Sequence, residues 1–501
     1  MPSPKLLMGA GAIRAAAALM LVGLAAPLGA PAAAAPQLPL SPCELEHPLR
    51  LTVVPAQCGW LSVAENPQDP AGRHIRLRVA RVPAINRDRR PDALFILAGG
   101  PGMAATAFYA GVAPAFARIH RDRDIVLVDQ RGTGGSNPLT CREPEELLYR
   151  APDSQISAAT ARCLASLAVR ANVAYYTTSI AVQDLEQVRA ALGYERIDLY
   201  GGSYGTRVAQ HYLRRFPARV RSVILDGVVP VQLAIGPDTP LDAEGALRAI
   251  LARCAHDDPC RSRFGDPLED YRRVRAVLAA HPVPVSVSDP QSGAPVRFEF
   301  SSYHLATVLR LLSYTPEYAA LLPLILYDAG ARADFAPLAA QFLMASRGYG
   351  DTLALGMHNS VVCTEDVPFY DPRSIDRARL APTFLGTAQL DGLAAVCRVW
   401  PRGAIDADFH APLTSDVPAL LLSGGDDPVT PPRYAAEAAR GFPHGLVVVL
   451  AGFGHGQLTA PCMDRVLAQF LARASASDLD IACTRGARPL PFFTSVNGPA
   501  P

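Results

Sequence analysis

Residues 196–216 read RIDLYGGSYGTRVAQHYLRRF and decide the fold. The apolar run RIDLY predicts a short strand, and TRVAQHYLRRF has the apolar spacing of a helix that ends before Pro217. Between them, GGSYG forms a G-x-S-x-G motif around Ser203. A strand that leads into a tight glycine turn and straight out into a helix holds a serine exposed at the tip of a sheet. The sequence therefore predicts Ser203 as a nucleophile, and the start of the helix favours the negative charge that develops beside it.

Short apolar runs on both sides of this turn predict a mostly parallel central sheet with helices on both faces. They are continuously apolar and bounded by glycine or charged turns, as strands buried on both faces are. Helical spacing at 180–192 alternates with them and indicates βαβ units. Two earlier runs with partial alternation predict an antiparallel pair at the sheet edge. The predicted strands besides 196–200 are 51–63 and 74–82 at the edge, then 93–98, 124–128, 220–225, 418–423 and 446–451.

The pattern changes between residues 231 and 410. Apolar residues recur there at helical spacing in 244–254, 303–328 and 334–346, the connections are rich in proline, and strand-like runs are rare. These features predict a mainly helical insertion that lies over the serine as a cap domain. A chain of 501 residues is also too long for one compact core. The predicted divisions are a signal peptide at 1–35, a first core part at 36–230, the cap at 231–410 and a second core part at 411–501.

Residues 1–35 have the pattern of a cleaved secretory signal. A positively charged start precedes an apolar run at 15–30 and a small-residue run at 32–35. A membrane anchor is the alternative, but the apolar run is short for a span and prolines interrupt it. No later stretch has the length to cross a bilayer. The protein is therefore expected to be exported, to the periplasm or the medium, with no stable membrane span after signal removal.

Charge and cysteine content narrow the class of protein further. A formal net charge of +1 gives no electrostatic reason to expect a nucleic-acid partner. Ten cysteines in an exported chain indicate a disulfide framework, although spacing leaves the connectivity open and fewer bridges with buried thiols are the alternative. No C-x-x-C spacing occurs and no histidines lie at zinc-finger distances, so neither a metal nor a cofactor is expected. Pairing of sequence neighbours gives Cys43–Cys58, Cys141–Cys163, Cys254–Cys260, Cys363–Cys397 and Cys462–Cys483.

A serine hydroxyl needs a general base, and His455 is the best placed of the eleven histidines. It lies in GFGHG at 452–456, directly after a predicted strand, where the glycines allow a loop that carries the ring over the serine. The acid that orients such a histidine lies between the serine and the histidine in chain order. Asp426 and Asp427, in GGDDPVTP after the preceding strand, both meet that condition. Asp226 is a more distant candidate and is interpreted as a strand-end turn residue.

Acyl transfer also requires backbone N–H groups for the developing oxyanion. The residue after the nucleophile, Tyr204, is one expected donor. The second should come from the loop after an early strand, and Gly99–Gly102 (GGPG) follows the run at 93–98. Because Pro101 has no N–H, Gly100 is the expected second donor. An ordinary Gly/Pro turn is the alternative interpretation of this loop.

Four motifs occur together in a fixed order: GGPG at 99–102, DQRGTG at 129–134, GGSYGT at 201–206 and DPVTP at 427–431. In this combination the chain resembles the secreted proline iminopeptidase and tripeptidyl aminopeptidase group of the α/β-hydrolases. The resemblance covers roughly residues 40–490. It implies the α/β-hydrolase fold with an inserted helical cap, a TAP-like (tripeptidyl aminopeptidase-like) C-terminal region and no cofactor.

The resemblance also assigns roles to single residues. The aspartate before Pro-Val-Thr-Pro is the triad acid of this group, which selects Asp427 over Asp426. Asp129 and Arg131 of the DQRG motif are expected to be structural residues beside the active site. Ala98 departs from the pattern, because the group often has histidine before GGPG. This change removes no catalytic group, but it weakens any inference about the substrate, as does Ala104 in place of a common serine.

Relatives with proline iminopeptidase activity bind the substrate's α-ammonium group with acidic cap residues, because a desolvated cation needs a charge partner. The segment CTED at 363–366 resembles an acidic motif of these caps. Glu365 is therefore the first candidate for binding the ammonium group, and Asp366 is the second. The alternative is that both are solvated loop acids.

Together these features predict an exported serine exopeptidase, an aminopeptidase that hydrolyses peptides from a free N-terminus through Ser203, His455, Asp427 and an acyl-enzyme. A carboxylesterase with the same triad is the main alternative, because fold and triad do not determine the substrate. A non-catalytic binding protein on this scaffold is a third alternative, and the intact triad argues against it. The expected partners are peptides with a free N-terminus, and the sequence leaves the oligomeric state open.

Overall fold

The computed structural model describes residues 38–141, 153–290, 292–350 and 352–500. The signal peptide predicted at 1–35 lies outside the described residues. The strands, in chain order, are β1 (Ser41–Glu46), β2 (Val53–Ala64), β3 (His74–Val82), β4 (Ala93–Leu97), β5 (Ile125–Val128), β6 (Ile197–Gly202), β7 (Val220–Asp226), β8 (Val283–Ser288), β9 (Pro295–Phe300), β10 (Ala419–Gly424) and β11 (Gly445–Leu450).

Nine of these strands form one central sheet in the order β1-β2-β3-β5-β4-β6-β7-β10-β11. Every neighbouring pair from β5 to β11 is parallel. The strands β1, β2 and β3 pair antiparallel at one edge, and β3 joins β5 antiparallel. The prediction of a mostly parallel sheet with an antiparallel edge is confirmed, and β1 is a further edge strand that the sequence pattern did not indicate.

Helices cover both faces of the sheet and fill the long connection between β7 and β10. The described α-helices are α1 (Ala105–Val112), α2 (Ala117–His120), α3 (Asp153–Ala168), α4 (Thr178–Ala191), α5 (Tyr204–Arg215), α6 (Thr239–His256), α7 (Asp258–Phe264), α8 (Pro267–Ala280), α9 (Ser302–Leu312), α10 (Pro316–Ala319), α11 (Leu322–Arg332), α12 (Ala336–Gly350), α13 (Leu355–Glu365), α14 (Arg377–Leu380), α15 (Ala388–Cys397), α16 (Pro432–Ala439) and α17 (Met463–Arg473). Short 3₁₀ helices are Ala113–Phe116, Val173–Tyr175, Pro217–Arg219, Val367–Phe369 and Ala482–Gly486.

Successive side chains of the central strands enter two different cores. In β4, Phe95 packs into the core beneath α3, α4, α5 and α16, whereas its neighbours Leu94 and Ile96 pack into the core beneath α1 and α17. All five residues of β4 are buried, and so are all six of β10. Continuously apolar strands are stable here because both faces are covered, which is why the short apolar runs predicted them correctly.

Residues 227–418, here termed the inserted segment, lie between β7 and β10. Their described part adds no strand to the central sheet and has a hydrophobic core of its own, built mainly from α6, α8, α9, α11 and α12. The segment is mainly helical, as expected. It also contains an antiparallel hairpin of β8 and β9, which the sequence analysis did not predict.

All ten cysteines form disulfides, and the pairs are those of sequence neighbours. One bridge joins β1 to β2 and another joins α13 to α15 within the inserted segment. The five pairs are Cys43–Cys58, Cys141–Cys163, Cys254–Cys260, Cys363–Cys397 and Cys462–Cys483. Within the described ranges, no helix combines the length and apolar character that a bilayer span needs.

Candidate active site

Ser203 occupies the tight turn between β6 and α5. Its φ of +54° and ψ of −121° lie in a region that residues other than glycine seldom adopt. The turn leaves no room for flanking side chains, because a Cβ at Gly201 would collide with the carbonyl oxygen of Gly205, and a Cβ at Gly205 with that of Leu97. The Ser203 N–H donates to the carbonyl oxygen of Asp226 at 2.8 Å. The serine is thus held, partly exposed, at the carboxyl edge of the sheet.

His455 lies in the loop after β11 and is paired with Asp427 in the loop after β10. The ring Nδ1 is 2.8 Å from Asp427 Oδ2 and 3.1 Å from Oδ1. The same carboxylate accepts hydrogen bonds from the N–H groups of Val429 and Thr430 and from the Thr430 hydroxyl, each at 2.8 Å. Since an ionised carboxylate only accepts, Nδ1 carries the proton and Nε2 is left as an acceptor.

The electrostatics of this pair favour the charged forms of both groups. Burial alone would raise the pKa of Asp427, but the charge of His455 and the hydrogen bonds outweigh burial and leave that pKa below its usual value. Burial alone would lower the pKa of His455, but Asp427 and then Asp226 raise it above its usual value, against the opposing charge of Arg310. An imidazolium that formed during catalysis would therefore be stabilised.

Asp426, the competing candidate for the acid, points elsewhere. Its Oδ2 is 3.3 Å from Arg253 Nη1, and the same guanidinium donates to the carbonyl oxygen of Gly452 at 2.9 Å. Of the two adjacent aspartates, the structure brings Asp427 and not Asp426 to His455.

The serine turn and the histidine ring pack around the end of β7. Asp226 receives the Ser203 N–H, and a Cβ at the next residue, Gly227, would be 3.0 Å from His455 Cε1. On the other side, a Cβ at Gly99 would be 3.1 Å from Ser203 Cβ. The residues predicted as nucleophile, base and oxyanion loop therefore meet at one edge of the sheet, where parallel strands end.

The backbone N–H groups of both expected oxyanion donors are available to bind an oxyanion. Tyr204 is the first residue of α5, so its N–H has no acceptor within the helix. Gly100 follows β4 with a φ of +110°, next to a cis peptide bond to Pro101. Within the described residues, neither N–H donates to another group of the chain. The Tyr204 side chain is tied back by hydrogen bonds of its hydroxyl with Thr178 Oγ1 at 2.6 Å and Gln130 Nε2 at 2.9 Å.

The inserted segment contacts both sides of this site. Its Ala354 N–H donates to the carbonyl oxygen of Gly102 at 3.0 Å, and Leu353 forms a β-bridge with Met103. At the other side, the His455 N–H donates to the carbonyl oxygen of Tyr314 at 2.5 Å, and the two rings meet edge to face at 5.2 Å. The inserted segment therefore holds the GGPG loop and the histidine loop in place.

A cavity of about 690 Å³ opens within the inserted segment beside these contacts. All of its lining residues except Cys141 belong to the inserted segment, and Tyr314 and Leu353 are among them. The lining mixes apolar side chains with polar ones such as Asn359, and its charged groups are the guanidinium groups of Arg275 and Arg310 and the carboxylate of Asp391. A cavity of this size, lined in part by residues that contact His455 and the GGPG loop, is a suitable place for part of a substrate.

The structure does not bring Glu365 and Asp366 into this cavity. Glu365 is fully buried and accepts hydrogen bonds from the Thr178 N–H at 2.7 Å and its hydroxyl at 2.9 Å. Asp366 accepts hydrogen bonds from both terminal nitrogens of Arg207, at 2.9 and 3.1 Å. Burial raises the pKa of Glu365 to about 7 despite nearby Arg207. Both carboxylates are buried against partners within the chain and neither lines the cavity, so this geometry gives the predicted ammonium-binding role no support.

The DQRG motif makes structural contacts beside the active site, as expected. Arg131 is fully buried and pairs bidentately with Asp184 at 2.6 and 2.7 Å. Asp129 accepts hydrogen bonds from the N–H and the hydroxyl of Thr106, at 3.0 and 2.8 Å, at the start of α1. These contacts join the loop after β5 to α4 and α1 and thereby support the GGPG loop.

Several residues of the site were missed by sequence reasoning. Tyr314 and Leu353 contact the histidine loop and the GGPG loop from the inserted segment, and the local sequence has no signal for such contacts. Asp391 is brought to the cavity wall only by the fold of the inserted segment. Asp226 was considered, but its link to His455 depends on the folded chain. The described residues contain no cluster of three or more His, Cys, Asp or Glu side chains that could hold a metal ion.

Comparison with known proteins agrees with this architecture. A family model described as alpha/beta hydrolase fold matches residues 92–253, which contain the GGPG, DQRG and G-x-S-x-G motifs. The chain has the α/β-hydrolase fold. A second model, described as TAP-like protein, matches residues 381–483, which contain Asp427 and His455. The resemblance to the tripeptidyl aminopeptidase group is thereby confirmed.

Curated relatives are mostly peptidases by name. The serine protease Hip1 of Mycobacterium tuberculosis is 27% identical over 506 residues, covering 91% of this chain and 94% of that protein. A tripeptidyl aminopeptidase of Streptomyces lividans is 32% identical over 191 residues, 35% of this chain and 36% of that protein. Carboxylesterase B of Mycobacterium tuberculosis is 27% identical over 419 residues, 77% and 78% of the two chains. These similarities support a peptidase-type α/β-hydrolase.

Proposed function

We propose that this chain is an exported serine exopeptidase that removes short peptides from free N-termini. The observation that carries the proposal is the Asp427–His455 pair beside a serine held at positive φ, next to a cavity built by the inserted segment. We propose that residues 231–410 act as the cap over the site. Peptide substrates are inferred from the names of the relatives, Hip1 and tripeptidyl aminopeptidase.

The proposed reaction follows from the roles of the three side chains. Ser203 Oγ attacks the carbonyl carbon of the scissile bond while His455 Nε2 takes the hydroxyl proton. The N–H groups of Gly100 and Tyr204 bind the oxyanion, and one such donor is worth about 3 kcal/mol of barrier in comparable sites. The imidazolium then protonates the leaving amine, and water hydrolyses the acyl-enzyme through the same base. Asp427 stays ionised throughout and stabilises the imidazolium.

The cavity suits the acyl side of a short peptide. A volume of about 690 Å³ lies within the range of sites that enclose a small ligand. A free N-terminus enclosed there needs an anionic partner. Asp391 lines the cavity, and its carboxylate pairs with Arg377 at 2.5 Å. Its side chain is 42% exposed, so the carboxylate stays accessible to a ligand despite this partner. We therefore assign the ammonium contact to Asp391 in place of Glu365 and Asp366.

Export is part of the proposal. The leader at 1–35 has the pattern of a secretory signal. Five disulfides with no cysteine left over fit an oxidising compartment.

Covalent labelling tests the nucleophile. A fluorophosphonate probe should label the wild-type protein, and Ser203→Ala should abolish both labelling and hydrolysis while leaving the fold intact. Ser423→Ala is the matched control, because Ser423 is a fully buried serine of β10. Full activity in Ser203→Ala would refute the proposed triad.

A carboxylesterase is the second candidate, favoured by the similarity to carboxylesterase B. An esterase has no need of an ammonium site. Asp391→Asn should therefore raise KM for free-amine peptidyl amides by about tenfold and leave acyl-ester hydrolysis unchanged. Glu365→Gln should show no such split, because Glu365 does not line the cavity. Equal effects of Asp391→Asn on amides and esters would contradict the assigned ammonium contact.

A further inference from the structure

Asp226, the last residue of β7, is a buried carboxylate that the proposed reaction does not use directly. It is 1% exposed and accepts a hydrogen bond from the Tyr200 hydroxyl at 2.8 Å. The Gln457 N–H reaches both carboxylate oxygens, at 2.8 and 3.0 Å. Tyr200 lies on β6 just before the Ser203 turn, and Gln457 follows His455 in the histidine loop. The carboxylate therefore joins the strand that carries the nucleophile to the loop that carries the base.

The backbone at this position makes the same connection. The Asp226 carbonyl oxygen accepts the Ser203 N–H at 2.8 Å. The next residue, Gly227, has a φ of +67°, and a Cβ there would lie 3.0 Å from His455 Cε1. A shift of this strand end would move the serine turn and would also change the space beneath the histidine ring.

Asp226 differs in its partners from Asp198 and Asp184, two other buried aspartates. Asp198 and Asp184 pair with arginines, whereas within the described residues no Arg or Lys forms an ion pair with Asp226. The charged groups that act on Asp226 are His455, which favours its ionised form, and Asp427, which opposes it. The cation that acts on this carboxylate is therefore the imidazolium of His455.

We propose that Asp226 is a positioning residue that holds the His455 loop against the Ser203 turn and supplies a second negative charge to the imidazolium. The inference rests on the proposed triad. Asp226 contacts neither the substrate nor the reacting atoms, so its effect is exerted through His455.

The charges around both groups define the pH dependence. His455 faces Asp427, Asp226 and Arg310, and the uncharged Tyr314 ring packs against it. Burial raises the pKa of Asp226 to about 6, so the carboxylate is mostly ionised at pH 7 to 8. Removal of its negative charge destabilises the imidazolium and lowers the pKa of His455. Because catalysis needs neutral His455 in the free enzyme, the acid limb of kcat/KM should move to lower pH.

The test compares two buried aspartates of neighbouring strands. Asp226→Asn should move the acid limb of kcat/KM down by about one pH unit and lower kcat about tenfold at pH 8, with KM nearly unchanged. Asp198→Asn removes a carboxylate that hydrogen-bonds Ser222 and Arg221 away from the triad, and should leave the acid limb in place. Substrates are alanyl-alanyl-prolyl-methylcoumarin amide and, in parallel, p-nitrophenyl acetate.

A milder variant tests the role of Asp226 if Asp226→Asn folds poorly. Tyr200→Phe keeps the ring and the carboxylate but removes one hydrogen bond to the ionised form. More of Asp226 is then protonated near pH 6 to 7, so the acid limb should shift in the same direction by a smaller amount.

Failure of the proposed role of Asp226 and failure of the proposed function would give different results. If the wild-type protein hydrolyses either substrate and loses activity with Ser203→Ala, the triad stands. An acid limb that is the same in wild type, Asp226→Asn and Tyr200→Phe would then overturn the role of Asp226 alone. Absence of Ser203-dependent hydrolysis and labelling in the wild type would instead overturn the proposed function on which this role rests.

Discussion

At the scale of single residues, the proposed chemistry depends on Asp427 presenting only acceptors to His455. Its two oxygens accept from Val429, Thr430 and the ring Nδ1. This arrangement selects the tautomer in which Nε2 can take the proton of Ser203.

Replacement of the acid tests that arrangement directly. Asp427→Asn presents an amide that can donate toward Nδ1, which favours the wrong tautomer, and kcat should fall by about 10⁴ with a much smaller change in KM. The neighbour Asp426→Asn should retain activity within about threefold, because Asp426 faces Arg253. Steady-state kinetics on variants with matched circular dichroism checks both. Equal losses in the two variants would contradict the assignment.

Asp226 should also make stability depend on pH in an unusual direction. Its folded pKa of about 6 is above the ordinary carboxyl value, so the folded state binds the proton more tightly. This contribution to stability is present below about pH 4 and is lost as pH rises through 6. Asp226→Asn removes the cost of the ionised form and should stabilise the fold at pH 8 by up to about 3 kcal/mol relative to its effect at pH 4.

Thermal unfolding of wild type and Asp226→Asn at pH 4 and pH 8 measures this difference. A variant that gains Tm relative to wild type at pH 8 more than at pH 4, and at the same time loses kcat, would show a carboxylate retained at the expense of stability. A constant Tm difference across pH would show that the charge of Asp226 does not matter to folding.

Sequence indicates residue-scale structure where the contacts are local. Gly201 lies two residues from Ser203 and its clash is with Gly205 of the same motif, so the motif alone indicates this tight turn. Glu365 and Asp366 were interpreted from a local acidic motif. Their partners Thr178 and Arg207 are more than 150 residues away, and only the folded chain shows that the carboxylates are already satisfied.

At the scale of elements, the start of α13 supports the oxyanion loop. The Ala354 N–H holds the Gly102 carbonyl, and Ala354 has a φ of −77° that proline can adopt. Ala354→Pro should therefore remove one hydrogen bond while residue 354 keeps its φ. The Gly102 carbonyl must also move to make room for the ring, and kcat should fall by about five- to tenfold with little change in KM. Ala354→Gly keeps the N–H and is the matched control. Unchanged kcat in the proline variant would show that the loop does not need this contact.

Strands and helices differ in how well the sequence predicted them. Buried parallel strands such as β4 and β10 were indicated by continuous apolar runs, and the helix predicted at 180–192 is α4, Thr178–Ala191. The single helical run predicted at 303–328 is divided into α9, α10 and α11. Edge pairing explains why β1 was not predicted. It is a largely exposed strand that becomes regular only by pairing with β2.

At the scale of the whole molecule, one of the five disulfides lies beside the proposed substrate cavity. The bridge Cys363–Cys397 joins α13 to α15, whose residues line the cavity. Its sequence separation of 34 residues predicts a contribution of about 4 kcal/mol by loop-closure entropy. Replacing both cysteines by serine should lower Tm and raise KM, because the cavity wall loosens.

The bridge between β1 and β2 provides the comparison. Cys43–Cys58 closes a separation of 15 residues at the sheet edge, for which the same relation predicts about 3 kcal/mol. Its removal should lower Tm with KM unchanged. If the two double variants changed KM equally, the cavity between α13 and α15 would not be the substrate site.

Hydrolysis of paired fluorogenic amides by the purified wild-type protein tests the proposed aminopeptidase activity most directly. Prolyl-, alanyl- and alanyl-alanyl-prolyl-amides with a free amine are compared with the same compounds acetylated at the amine, alongside a short acyl ester. We expect cleavage of at least one free amide that acetylation abolishes, with the substrate length showing how many residues are released. Ester hydrolysis with no turnover of any free amide would contradict it and assign the same triad to a carboxylesterase.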